Sequence, residues 1–311
     1  MTQSKGLPTI SVIIPSFNSG RFIAKTLATI VKQDYRQTEL IVVDGGSRDD
    51  TAMVLKAYQR FLTHSVSESD EGQLDALQKG IRRATGEVLY WLNADDVVMP
   101  GTFNYVGRLF SENRHIDMVF GDDYAFDEER RKVYVGSTIR GMTFWDHFLF
   151  YRQMYSECVF WRREISDQAI PVDASFRACT DYSFFLPLRF DRACRWVPRR
   201  LGAFRVAADQ MSQRHRERVA VEREQVKKRM RSRLGMSEVE FARRRRRHWL
   251  SFALRQRVYP KLNAGFRFVG RKLTGDVRRR RLEQWFFDEW LWPPVDVLGA
   301  LPPHTYTKGS D

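Results

Sequence analysis

Val88-Leu-Tyr-Trp-Leu-Asn-Ala-Asp-Asp96 decides the fold. Residues 88–92 are apolar without alternation, bounded by Gly86 on one side and Asn93 on the other. Such a run is a strand buried on both faces, as in parallel sheets covered by helices. Two carboxylates, Asp95 and Asp96, follow at its carboxyl end.

Working outward, Ile10-Ser-Val-Ile-Ile14 is a β-branched run stopped by Pro15, and Leu40-Ile-Val-Val43 is another, stopped by Asp44-Gly-Gly46. Residues 65–68 suggest a short strand, and Met118-Val-Phe120 a fifth. Helices are predicted between them at residues 21–33, 49–62, 73–84 and about 100–113. In the first, Phe22, Ile23, Leu27, Ile30 and Val31 recur on one side. Strands alternating with helices predict an α/β fold with a mostly parallel, Rossmann-like sheet flanked by helices. In such sheets ligands bind at the carboxyl ends of the strands.

Those ends read Pro15-Ser-Phe-Asn18, Asp44-Gly-Gly-Ser47, Glu68-Ser-Asp-Glu-Gly72 and Asn93-Ala-Asp-Asp96. Three of the four are acidic. No G-x-G-x-x-G follows the first strand, and no G-x-x-x-x-G-K-[ST] occurs anywhere. A dinucleotide dehydrogenase and a P-loop ATPase are therefore not expected.

Clustered carboxylates at strand ends become useful when a hard divalent cation sits among them. Mg²⁺ or Mn²⁺ takes oxygen ligands, commonly one or two carboxylates plus substrate phosphates. Asp95 and Asp96 suit that role; they equally suit ending a strand and capping the next helix. Asp44 is placed to accept hydrogen bonds from a nucleobase or ribose, or else is an ordinary turn residue of Asp-Gly-Gly. Phe17 is either a platform for a base or a core residue, and Asn18 and the Asp70–Gly72 turn have plain turn and capping roles available. Asp181, in the mostly apolar stretch Arg177-Ala-Cys-Thr-Asp-Tyr-Ser-Phe-Phe185, is a candidate general base with a raised pKa. It is also a candidate helix cap.

The composition excludes several classes. The chain has 311 residues, 43% hydrophobic and 13% aromatic, too much apolar area for a disordered polymer. Three scattered cysteines make neither a disulfide framework nor a metal-ligand pattern, which suits a reducing compartment. No run reaches the roughly 18 apolar residues of a membrane span. No signal peptide is read at the N-terminus. A cytoplasmic protein, either soluble or peripheral at the inner face of the plasma membrane, is expected.

The charge is uneven. Residues 1–204 hold 26 basic and 26 acidic side chains, residues 205–281 hold 25 and 7, and residues 282–311 hold 1 and 5. The whole +14 excess therefore belongs to one segment, which includes Arg243–Arg247 and Arg278–Arg281. A balanced domain over residues 1–204 and a basic, mainly helical extension over 205–311 are expected.

Taken in order, the motifs resemble the family 2 inverting glycosyltransferases of bacterial polysaccharide synthesis. The resemblance covers roughly residues 8–212. It rests on Ser11-Val-Ile-Ile-Pro-Ser-Phe-Asn18, Ile41–Thr51, Glu68–Gly80, Gly86–Asp96, Phe160-Trp-Arg-Arg163 and Thr180-Asp-Tyr182. It implies a GT-A fold, with a nucleotide-sugar-binding half at about 8–120 and an acceptor half at about 121–204. By the same resemblance Pro15, Phe17, Asn18 and Asp44 line the nucleotide pocket, and Asp70 and Gly72 approach the ribose and diphosphate. Asp95 and Asp96 hold the metal, Asp95 also facing the nucleotide sugar, and Asp181 is the base of a single in-line displacement. The expected partners are a nucleotide-sugar donor and a saccharide or lipid-linked acceptor. Related outcomes are a polyprenyl-phosphate sugar transferase of the same fold, or a non-catalytic nucleotide-sugar- or polyanion-binding protein.

The sequence departs from the family's pattern in two places. Asn93 opens the acidic motif where the family often has Asp. Ala207 stands where the family often has a histidine, and His215 lies nearby. Asp122 and Asp123 also follow a strand and read as structural or acceptor-facing. For the extension three roles stand open: a solvated face, attraction to anionic lipid, or nucleic acid. No nucleic-acid motif accompanies the charge, so nucleic acid is the least expected. The cluster Trp285-Phe-Phe-Asp-Glu-Trp-Leu-Trp292 fits either a membrane interface or core packing.

Overall fold

β1 (Ile10–Ser16) is buried along its whole length and lies at the centre of the N-terminal half. It pairs in parallel with β2 (Thr38–Asp44) on one side and β4 (Val88–Trp91) on the other. β3 (His64–Ser67) extends the sheet beyond β2, again in parallel. Three helices make the crossovers: α1 (Ile23–Val31), α2 (Thr51–Ala57) and α3 (Gln73–Arg83). The computed structural model describes residues 6–136, 142–151, 154–166, 173–189, 192–207, 216–253 and 280–293, with 297, 300 and 301.

β5 (Val97–Val98) and α4 (Thr102–Glu112) follow β4. The second half then adds β6 (Met118–Asp127), β7 (Lys132–Val135), α5 (Phe144–Phe150), β8 (Val159–Arg162), α6 (Arg163–Ser166), α7 (Thr180–Arg189) and β9 (Cys194–Arg205). β8 inserts antiparallel between β4 and β6, so one sheet runs β3-β2-β1-β4-β8-β6-β9-β5, with β7 on β6. The parallel N-terminal strands are as predicted. The short β5 and the strands β7, β8 and β9 were not read from the sequence: β7 is a short, mostly exposed hairpin partner of β6, and β5, β8 and β9 pair with strands far along the chain.

Two apolar layers cover the sheet. One holds Ile14, Leu27, Val42, Tyr90 and Phe160; the other holds Ile13, Val43, Trp91, Trp161 and Phe184. Neighbouring residues of one strand thus enter opposite layers, as the pleat requires.

The basic segment is joined to these layers. β9 runs through Arg205, across the composition boundary. Helix α8 (Arg216–Arg233) buries Val226 and Met230 beside Phe184 and Phe185. The aromatic cluster at 285–292 is core: Phe286, Phe287 and Trp290 pack with Val97, Phe126 and Ala203, and Trp290 Nε1 donates to the Val98 carbonyl at 3.0 Å. Among the described residues no helix is long and apolar enough to cross a membrane.

Candidate functional site

The carboxyl ends of β1 and β2 are tied by one serine. Asp44 is buried, and its carboxylate accepts from Ser47 N at 2.9 Å, Ser47 Oγ at 2.5 Å and Ser67 Oγ at 2.7 Å. Ser47 Oγ in turn accepts from Asn18 N at 2.7 Å, and Asn18 Oδ1 accepts from Arg48 N at 2.9 Å. Asn18 adopts φ 48°, a left-handed conformation that asparagine tolerates better than most residues. Three of the four lone pairs of Asp44 are thereby used within the corner. Pro15 is buried at the end of β1, whereas Phe17 is 62% exposed, so its ring lies outside the core and open to a ligand.

The third strand end lies over the second. The Asp70 carboxylate covers Gly45 so closely that a Cβ there would stand 2.6 Å from Oδ2. Asp70 Oδ1 accepts from Gly72 N at 2.7 Å, and Gly72, at φ 102°, starts α3. A side chain at Gly72 would strike the Arg177 guanidinium, which rests against its Cα.

The fourth end separates its two aspartates. Asp96 is fully buried: Oδ1 accepts from Arg205 N and Oδ2 from Asn93 Nδ2, both at 2.9 Å. Burial and the Asp95 charge, with a smaller contribution from Asp181, push its pKa well above the ordinary carboxylate value despite those bonds. The Asp95 side chain keeps 28% of its exposure, and Arg205 grips its Oδ2 through Nη2 at 2.8 Å and Nε at 3.1 Å. Arg205 is itself buried and stacks on Phe22, 3.9 Å from the ring centroid.

Asn93 is bonded on every side. Its Oδ1 accepts from Gln73 Nε2 at 2.8 Å and Trp91 Nε1 at 2.9 Å, and its Nδ2 also reaches Ser156 Oγ at 3.4 Å. Gln73 Oε1 then accepts from Thr180 Oγ1 at 2.7 Å. The acidic turn is thus linked to the first turn of α7, which carries Asp181. Asp181 makes a small contribution to the raised pKa of both Asp96 and buried Glu157, so its charge lies near both.

The two aspartates differ in how they could meet a divalent cation. Asp95 fits: it is partly exposed at a strand end, and both Arg205 contacts fall on one of its oxygens. Asp96, expected to share the metal, is sealed from solvent with both oxygens bonded. Ala207 contributes no ligand, and His215 lies outside the described residues. Among the described residues no cluster of three or more Asp, Glu, His or Cys side chains is arranged to hold a metal. The residues therefore fit a cation held through Asp95 and completed by substrate phosphates, and not a protein cage.

The family model described as glycosyl transferase family 2 matches residues 11–165. A PGL/p-HBAD biosynthesis glycosyltransferase of Mycobacterium bovis is 30% identical over 183 residues, which cover 57% of this chain and 68% of that one. The chain belongs to glycosyltransferase family 2. Its fold is that of the GT-A enzymes of this family. Staphylococcus aureus TarS, crystallised with UDP, aligns at TM-score 0.53 and 19% identity, over 69% of this chain and 65% of that one. The Pyrobaculum calidifontis mannosyltransferase PcManGT, solved with GDP-Man and Mn²⁺, aligns at TM-score 0.50 and 18% identity, over 67% and 60%. This family 2 chain thus spans about two thirds of the length of these proteins.

Of the residues expected to act, Asn18, Asp44, Asp70, Gly72 and Asp95 lie at the carboxyl ends of the strands, and Asp181 follows Thr180, which is bonded to that edge through Gln73 and Asn93. Four participants were missed: Ser47, Gln73, Arg205 and Arg177. Gln73 and Ser47 lie inside the quoted motifs, and their polarity beside a strand end was the available signal. The arginines carried no local signal.

Proposed function

We propose that this family 2 glycosyltransferase moves a sugar, with inversion, from a nucleotide-sugar donor to a hydroxyl of a saccharide or lipid-linked acceptor, in cell-surface polysaccharide or glycolipid assembly. The observation that carries this reading is the bonded path Asp96–Asn93–Gln73–Thr180, which sets Asp181 beside the strand ends that would receive the donor. The UDP and GDP-Man of the two structural neighbours support a nucleotide-sugar donor.

Phe17 offers an exposed ring for the base. Asn18, Asp44 and Asp70 form the ribose end, and Gly72 lets the diphosphate approach the backbone. Mn²⁺ or Mg²⁺, held through Asp95, would supply positive charge beside the diphosphate. Asp181 takes the proton from the acceptor hydroxyl, whose oxygen bonds to the anomeric carbon. The bond from that carbon to the β-phosphate oxygen breaks on the opposite face, and the nucleoside diphosphate leaves with the electron pair. One displacement without an enzyme nucleophile inverts the centre.

The helix at 238–253 supports an anionic membrane surface as a second partner. Phe241, Arg244 and His248 face inward, where Arg244 lies 4.2 Å from the Trp145 ring centroid. Arg243, Arg246, Arg247, Trp249 and Leu250 face solvent, the last two 57% and 62% exposed. Arginines with tryptophan and leucine on one surface match an anionic bilayer interface. Such docking at the inner face of the plasma membrane would bring a lipid-linked acceptor to the enzyme.

The test is release of nucleoside diphosphate from a panel of UDP- and GDP-sugars, with Mn²⁺ or Mg²⁺, with and without membrane extract. Asp181→Asn is expected to lower turnover about 10²–10⁴-fold while leaving donor binding unchanged. Failure of every donor, or full activity of D181N, would overturn the assignment.

A further inference from the structure

The basic extension reaches the site through one carboxylate. Glu222, on α8, is only 5% exposed. Its oxygens accept from the backbone N–H of Arg177 at 3.0 and 3.1 Å, of Ala178 at 2.8 Å and of Cys179 at 3.0 Å. Arg218 Nε donates to it at 2.7 Å. These three successive N–H groups form the turn that leads into α7. They converge on one carboxylate, and it comes from a helix more than forty residues further along the chain.

Burial pushes the Glu222 pKa upward, but the bonds from Arg218 and the three N–H groups outweigh it and hold it below the ordinary value. The group is therefore an anion at neutral pH, suited to three simultaneous N–H donors.

The residues it holds carry two functional features. Arg177 sends its guanidinium against Gly72, on the donor side. Asp181 is the second residue of α7, two residues after Cys179, on the acceptor side. The angle between these groups depends on the backbone that Glu222 fixes.

We propose that Glu222 is a positioning residue for sugar transfer, setting Arg177 over the donor turn and Asp181 towards the acceptor, so that the basic extension is an integral part of the active site. This rests on the transferase assignment above. Glutamine in its place keeps the shape, but replaces one accepting oxygen with a donor that faces N–H groups.

The experiment is steady-state kinetics of full-length Glu222→Gln, scaled to folded enzyme. Turnover is expected to fall about tenfold or more and the donor KM to rise about threefold, as expected for loss of charge-assisted bonds. Asp181→Asn, by contrast, should change turnover alone. A purely structural role would lower the melting temperature and leave both constants per folded molecule unchanged, and that result would overturn the proposal. Arg218→Met, which leaves the N–H bonds in place, should stay within about threefold of wild type. Should E222Q not fold, amide hydrogen exchange of the wild type decides: residues 177–179 are expected to be protected about a hundredfold or more. Exchange there at the unfolded-chain rate would refute the proposal. A wild type that releases no nucleoside diphosphate fails the transferase assignment; an active wild type matched by E222Q fails this proposal alone.

Discussion

Asn93 donates its side-chain amide to Asp96 Oδ2 at 2.9 Å, while its own oxygen accepts from Gln73 and Trp91. This arrangement explains why the acidic motif opens with asparagine. A carboxylate at position 93 would face the buried Asp96 with no proton to donate. Asn93 thus holds the turn and passes its orientation to Gln73.

Asn93→Asp should destabilise the fold. Losing the bond to a buried carboxylate and adding a like charge costs about 2 kcal/mol, or about 3 °C for a chain of this size. Thermal melting measures it, and an unchanged midpoint would show that the turn relaxes without loss.

Asp95 and a divalent cation should act as one unit. Asp95→Asn is expected to cost about a hundredfold or more in turnover, the magnitude seen when transition-state charge loses a stabilising partner. Chelator should cost the wild type a similar factor but leave D95N nearly unaffected. Independent, multiplicative losses would mean that the cation is held elsewhere.

Glu157 should make stability fall as pH rises. It is 1% exposed, and among the described residues Oε1 has no hydrogen-bond partner. Burial, then the charges of Asp96, Asp123 and Asp181, push its pKa well above the ordinary value. A raised carboxyl binds its proton more tightly in the native state. Its contribution is therefore complete below the unfolded value, about 4.3, and is lost as pH rises through the folded value. Glu157→Gln, which carries no proton equilibrium, should flatten the melting temperature between pH 5 and 8 and be the more stable protein at pH 8. Parallel curves for the two proteins would contradict this.

Trp290 should matter for stability and not for lipid. Trp290→Ala removes a ring packed in the core and bonded to the Val98 carbonyl, at a cost of about 3–5 kcal/mol. Liposome flotation of the folded variant should match wild type, whereas Arg243→Glu with Arg247→Glu should reduce recovery on anionic vesicles. Equal recovery of wild type on neutral and anionic vesicles would rule out electrostatic docking.

Much of the N-terminal half was legible because its signals are local. Ile10–Ile14, Leu40–Val43 and Val88–Leu92 are strands buried on both faces, so each declares itself by apolar run alone, and Asp44 and Asn93 mark the ends of the last two. β8 gave less away: Val159-Phe-Trp-Arg162 is short and sits antiparallel between β4 and β6, a pairing no local pattern encodes. The aromatic cluster at 285–292 was equally consistent with a bilayer and a core, since both reward the same side chains. Charge counting drew a line near residue 205 because it records composition, while β9 and α8 carry packing across that line.

The apolar runs of β1, β2 and β4 are enough by themselves to specify a parallel α/β half, because burial of continuous apolar runs leaves few alternatives. The order of motifs through Asn18, Asp44, Asp70 and Asp95 carries the resemblance to family 2. Only the tertiary structure decided that Asp96 is sealed while Asp95 is open, that Arg205 grips Asp95, and that Glu222 caps the segment before Asp181. Those relations join residues far apart in the chain. They depend on which backbone groups are left unpaired when the helices pack, and no local pattern records that.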